Sequence, residues 1–338
     1  MTNDLRIGVV GAGAMGADHI ARIEHRVAGA HVSAVIEPDA GRAAAAAESA
    51  PMAQTFARIE DALAAGAIDA ALIAVPGQFH LPVLIPALEA GLPILCEKPL
   101  TPDSETSLRV LEAEQKLDKP HIQVGFMRRF DPEYAQLREL VESGDAGELV
   151  MLRCAHRNPS VPDSYVQPML INDSVVHEFD VVPWLAGSPL KSVEVKFARQ
   201  NPRTPERLRE PILVIMELAN GVLVDVEMNV SVQFGYQVTT EAVFSEGIAR
   251  IGDPQGLTLW QGARVGRREH TSFTTRFAEA YDNEIQRWVD AVRRGDLVDG
   301  PNAWDGYLVA VACEAGVRAL EGGGVQPIET ADRPAFYS

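Results

Sequence analysis

Residues 8–16 read GVVGAGAMG, with Gly11, Gly13 and Gly16 set directly after an apolar strand and at the opening of a helix. Strand, glycine turn and helix in that order admit few folds. The first glycine permits a tight turn, the second lets the backbone approach a pyrophosphate, and the third lets helix and strand pack closely. The helix then offers free N–H groups and the positive end of its dipole to phosphate. A bare GxGxxG is weak. Here a second strand, HVSAVI, follows the helix and ends at Glu37, an acidic residue placed to bind a ribose 2′-hydroxyl. A carboxylate there repels a 2′-phosphate, so the pattern favours NAD over NADP. Arg42 could accept that phosphate, or could simply be a solvated helix residue.

Strand and helix keep alternating through residues 1–124. AGRAAAAAESA is a helix by alanine propensity. AIDAALIAV is a buried strand stopped by Pro76-Gly77, and LPVLIPALEAG is a helix closed by Gly91. LPILCEKPL is a strand, residues 103–118 are a helix, and HIQVGFM is a last strand. Such alternation means a parallel, doubly wound α/β sheet. From residue 125 the pattern changes. Asp131-Pro132 supplies an N-cap and a proline at the first helical position, and ELVMLRCAHRN alternates at strand period. Residues 190–260 read as antiparallel strands, with Asn220-Gly221 as a hairpin signal. Phe277, Tyr281, Ile285, Trp288 and Val292 fall at helical spacing, and a last helix runs from about Asn302 to Leu320. A chain of 338 residues suits two domains, drawn as 1–124 and 125–338, the second α+β with a large, mostly antiparallel sheet.

Bulk properties exclude several classes. A net charge of −17 repels phosphate backbones, so nucleic acid is not expected as a partner. The three cysteines match no metal spacing and read as buried thiols in a reducing compartment. The opening MTNDLRIGVV has no signal-peptide pattern, and no run approaches the roughly 18 apolar residues of a membrane span. The expectation is a cytoplasmic protein without a membrane partner.

Three places carry chemistry. Lys98, in Glu97-Lys98-Pro99, closes a strand where such sheets bind ligands, and the following proline holds it extended. It could hold a substrate hydroxyl and stabilise negative charge on oxygen; alone it also reads as a surface lysine in a turn. In INDSVVHEFD, Asp173 and His177 are four apart on an apolar helix and share a face. A carboxylate that orients an imidazole suits proton removal from an alcohol, and an ordinary helix start with a buried histidine is the alternative. Glu178 and Asp180 suggest a metal site, which fails for want of a second histidine at ligand spacing. Pro183 should kink or end that helix. His156 and Asn158 are two apart on a strand, a polar pair suited to a polyhydroxylated ligand or to a solvent-facing edge.

The motifs GAGAMG, EKP, GFMRRFDPEY, RCAHRNPSV, INDSVVHEFDVVPWL and FAEAYDNEIQRWVDAV together resemble the Gfo/Idh/MocA oxidoreductases, most closely their bacterial myo-inositol 2-dehydrogenase branch, over nearly the whole chain. The resemblance implies an N-terminal NAD-binding Rossmann domain and a C-terminal substrate-binding domain with an open sheet that forms a homotetramer contact. It implies oxidation of a secondary hydroxyl of myo-inositol to the ketone, with Lys98, Asp173 and His177 as the catalytic set. Met127, Arg128, His156, Asn158 and Tyr236 would line the pocket. Gly11, Gly13, Ala14, Met15, Gly16, Glu37, Pro76, His80 and Glu97 would border the NAD. The Lys98-Pro99 peptide would be cis. The sequence departs from the family in carrying Glu37 where Asp is usual. The alternatives are another cyclitol or sugar as substrate, and a non-catalytic NAD-sensing regulator on the same fold.

Overall fold

The computed structural model describes residues 4–254 and 256–338. In chain order, β1 (Leu5–Val10) leads through the glycine turn into α1 (Ala14–Arg26), followed by β2 (Ala30–Ile36), α2 (Ala40–Ala47), β3 (Gln54–Phe56) and α3 (Ile59–Ala64). Then come β4 (Ala70–Ile73), α4 (His80–Glu89), β5 (Ile94–Glu97), α5 (Ser104–Glu114) and β6 (Ile122–Gly125). These strands form one parallel sheet in the order β3-β2-β1-β4-β5-β6. That order reverses between β1 and β4, the place where a doubly wound sheet opens a crevice for a dinucleotide. All of β4 is buried, as befits a strand covered on both faces. The short edge strand β3 has no apolar run to announce it.

The second half begins with α6 (Pro132–Ser143), capped by the Asp131 side chain at the N–H groups of Glu133 and Tyr134 and closed by left-handed Gly144. After β7 (Leu149–Arg157) come a π-helical turn over Leu170–Val175, α7 (Val176–Ala186), β8 (Leu190–Phe197), β9 (Ile212–Leu218) and β10 (Leu223–Asn229). Next are β11 (Gln237–Phe244), β12 (Ile248–Ile251), β13 (Thr258–Gln261) and β14 (Arg264–Arg267). The chain continues through α8 (Phe273–Arg276), α9 (Ala278–Arg294), α10 (Ala303–Arg318) and β15 (Gln326–Pro327). The large sheet runs β12-β11-β7-β10-β9-β8-β15, antiparallel throughout except where β7 lies parallel to β10. Burial alternates along β9 and β10, with Ile212, Val214, Met216, Val224, Val226 and Met228 covered.

The hairpin expected at Asn220-Gly221 is present: β9 and β10 pair antiparallel and Gly221 in their connection has φ +86°. One detail differs from the sequence expectations. Pro183 does not end α7, which runs on to Ala186 and stops at left-handed Gly187. Residues 176–182 are all buried, and that packing outweighs the roughly 3 kcal/mol a mid-helix proline costs.

The chain divides into two compact units, but not as two consecutive blocks. The first holds residues 4–127, 281–310 and 331–338, and the second holds 128–280 and 311–330. Ile285, Trp288 and Val289 of α9 pack in the first unit's core with Ile7, Val9, Ile20, Ile23, Val32 and Leu72. Helical spacing foretells α9 itself, while its place in the first unit depends on contacts remote in sequence.

Candidate active site

In the first unit the glycine turn fits a pyrophosphate. Gly11 has φ +97°, closed to most side chains. A Cβ on Gly16 would lie 1.9 Å from the Gly11 carbonyl oxygen, so only glycine allows this approach of helix to strand. A Cβ on Gly13 would meet nothing within 4 Å, and the space over that residue is open to a ligand. Ala14 opens α1 and is exposed, while Met15 is half-buried. Glu37 stands just beyond β2, where its carboxylate accepts the N–H groups of Ala12 and Asp39 at 3.0 Å and an Arg42 N–H at 2.7 Å. Burial alone would raise the Glu37 pKa; Arg42 and the two amides outweigh it and hold the group below the usual range. A cavity of about 480 Å³ lies beside it, lined by Ile36, Glu37, Arg42, Arg58, Pro76 and Phe79. These residues fit a dinucleotide with a free ribose 2′-hydroxyl, since the anionic Glu37 already occupies Arg42.

Lys98 is half-buried directly after β5, and its bond to Pro99 is cis. Glu97 before it pairs with His19. His80 is fully buried, with both ring nitrogens against backbone carbonyls rather than open to a ligand. Met127 is buried at 2 % exposure.

In the second unit His177 is 8 % exposed on the first turn of α7. Its ring lies 6.3 Å from that of His156 on β7, which in turn meets the edge of Tyr236 at 6.0 Å. The Tyr236 hydroxyl reaches His156 Nε2 at 3.5 Å. Beneath these rings is a charged network. Glu178 is paired with Arg128, Arg128 lies 3.2 Å from His156 Nδ1, and that nitrogen is 3.3 Å from Glu178 Oε2. Phe277 caps the Arg128 guanidinium, whose carbon is 5.5 Å from the ring centroid. Burial would push Glu178 up, but Arg128 and His156 prevail and hold it down at about 2. Burial raises the Tyr236 phenol well above its ordinary range.

Asp173 is exposed and belongs to the π-helical turn, not to the regular helix that carries His177. Such turns widen the helix by one residue per hydrogen-bonded ring and cluster at functional sites. Asn158 follows β7, and its buried Oδ1 has no hydrogen-bond partner among the described residues. An amide oxygen left this way calls for a donor, which a substrate hydroxyl can supply.

The structure therefore gathers His156, His177, Tyr236 and Arg128 in one place and gives Arg128 a buried ion pair. The acids Glu178 and Asp180, considered above as metal ligands, are both held by arginines, Asp180 by Arg129 at 2.5 Å. Sequence reading missed this pairing and His19 altogether. The available signal was two acids inside an apolar helix, since buried acids require cationic or hydrogen-bonding partners.

Among known proteins, residues 5–126 match the GFO_IDH_MocA model, described as an oxidoreductase family with an NAD-binding Rossmann fold. Residues 134–250 match the GFO/IDH/MocA C-terminal domain. The chain is 72% identical over 338 residues to an inositol 2-dehydrogenase of Corynebacterium glutamicum, covering 100% of both. It is 71% identical over 337 residues to an inositol 2-dehydrogenase of Leifsonia xyli, covering 100% of this chain and 99% of the relative. Its fold matches that of myo-inositol dehydrogenase from Lactobacillus casei in complex with NAD(H) and myo-inositol, with a TM-score of 0.96 and 32% identity over 99% of this chain and 100% of the other.

Proposed function

The chain belongs to the GFO/IDH/MocA oxidoreductase family, and from that premise we propose that it oxidises a secondary ring hydroxyl of myo-inositol to the ketone, 2-inosose, with NAD as acceptor. The observation that carries the reading is a chain colinear with an inositol 2-dehydrogenase from end to end that keeps a lysine after β5 and a buried imidazole at the start of α7. An NAD-sensing regulator would need neither.

Gly11, Gly13, Ala14, Met15 and Gly16 hold the cofactor's phosphates in this reading, while Glu37 and Pro76 border its adenosine end. Bound NAD supplies the hydride acceptor. Lys98 holds the reacting hydroxyl and stabilises the negative charge that develops on its oxygen. His177 takes the hydroxyl proton as general base, and Asp173 orients it. Asn158, His156, Tyr236 and Met127 hold the remaining hydroxyls and ring face. Arg128 acts through its grip on Glu178 and His156. We further infer a cytoplasmic homotetramer assembled through the C-terminal sheet and working in the catabolic direction. Among the described residues, no helix is long and apolar enough to cross a membrane.

The test is NADH formation by the purified protein with NAD or NADP against myo-, scyllo- and chiro-inositol, glucose and xylose. Turnover is expected to be highest with NAD and myo-inositol. Replacing His177 with alanine should lower kcat by roughly 10²–10⁴-fold while NAD still binds. Preference for another polyol moves the substrate, and undiminished turnover in H177A removes His177 as the base.

A further inference from the structure

We propose that two buried histidines, His19 on α1 and His80 on α4, position Lys98 by fixing the residues on either side of it. The proposal rests on the reading of Lys98 as a substrate-holding group. His19 is 1 % exposed, and its Nε2 lies 2.6 Å from Glu97 Oε1. The other carboxylate oxygen accepts the Lys98 backbone N–H at 3.2 Å. Glu97 is thus clamped between the imidazole in front and the lysine amide behind. Gly125 of β6 lies against it, where a side chain would press on the carboxylate, since an added Cβ would stand 3.2 Å from its Oε2 and Cα. Among the described residues His19 Nδ1 is buried without a hydrogen-bond partner, so the ring's one polar use there is to hold this carboxylate.

On the far side, His80 is 0 % exposed. Its Nδ1 is 2.8 Å from the Pro99 carbonyl oxygen and its Nε2 is 2.8 Å from that of Val75. It ties the segment after β5 to the segment after β4. Lys98 therefore leaves a backbone pinned at both neighbours, and a side chain can be placed reproducibly only from a fixed backbone. His19 itself is braced. Its ring meets Tyr281 edge-on at 5.9 Å, and Arg22 covers the same tyrosine at 5.2 Å while bonding Asp282 at 2.5 Å and Asp18 at 2.6 Å. His19 also lies on the helix whose first turn follows the glycine motif. The element that offers N–H groups to phosphate therefore also holds the clamp on the lysine. Neither histidine is placed on substrate; both act through Lys98.

The experiment compares wild type, K98A, H19A, H19Q, E97Q, H80A and the H19A/E97Q pair in the full chain. It measures kcat and KM for the cyclitol, the calorimetric Kd for NAD, and Tm. We expect H19A and H80A to lose roughly 10²-fold in kcat, the cost of misplacing a catalytic group by about 1 Å, with NAD affinity unchanged. H19Q should recover most of the loss, since its amide N–H replaces that of Nε2. Adding H19A to E97Q should cost little further, because the two act as one unit. Full kcat in H19A or H80A overturns that arm of the proposal, as does a loss in H19A that H19Q leaves unrescued or that NAD affinity shares. If H19A or H80A does not fold, H19Q and E97Q carry the test: H19Q active and E97Q impaired supports the clamp, and an unimpaired E97Q overturns it. An inactive wild type or a fully active K98A overturns the underlying reading instead, and the claim that the clamp serves this reaction with it.

Discussion

Glu178 follows His177 in sequence, yet its carboxylate is spent on Arg128 and His156 inside the protein. Its folded pKa of about 2 lies below the ordinary 4.5, so the pair contributes stability that is fully present above the ordinary value. That stability is lost as pH falls from about 4.5 through about 2. Urea unfolding from pH 6 downwards should show this decline, and E178Q should flatten its own share of it. At pH 7 the same variant should be less stable by about 3–5 kcal/mol, because Arg128 is left as an uncompensated buried charge. An E178Q curve that parallels wild type at every pH would count against the assignment. The partnership was hidden from sequence because the partners are 50 residues apart. Lys98, Asp173 and His177 could be proposed from sequence because each stands in a short motif whose chemistry is local.

The glycine turn was the most readable element, since its requirements are steric and lie within nine residues. The reason lies in distances: a Gly16 Cβ would sit inside contact range of the Gly11 carbonyl. G16A should therefore push α1 away from β1, and NAD affinity measured by calorimetry should fall at least about tenfold, or 1.4 kcal/mol. Wild-type affinity in G16A would mean that the turn does not hold the phosphates. The π-helical turn before His177 could not be foreseen, because composition does not separate it from the first turn of an α-helix. The edge strand β3 escaped for a different reason. Its three residues are partly exposed and too few to show a period.

The large antiparallel sheet of the second unit is one surface through which copies could meet. Charged side chains lace one of its faces, Arg153 lying 3.7 Å from Asp225 and 3.5 Å from Glu241 across neighbouring strands. The β13–β14 ribbon leaves Trp260 75 % and Val265 62 % exposed, apolar area of the kind that partner subunits cover. Light scattering at about 0.15 M salt should return four times the chain mass, and a monomer at micromolar concentration would remove the tetramer. The strands of this sheet were readable from alternation, whereas the discontinuous make-up of the two units was not, because periodicity identifies a helix without saying what it packs on. That make-up has a consequence for biosynthesis. The cofactor-binding half begins to emerge first from the ribosome, but Ile285, Trp288 and Val289 of its core arrive only after the roughly 150 residues that follow Met127. At ordinary translation rates of about 5–20 residues per second, that is roughly 8–30 s during which Ile20, Ile23 and their neighbours lack their cover. During that interval the chain carries uncovered apolar surface, although its nucleotide motif is complete by Glu37.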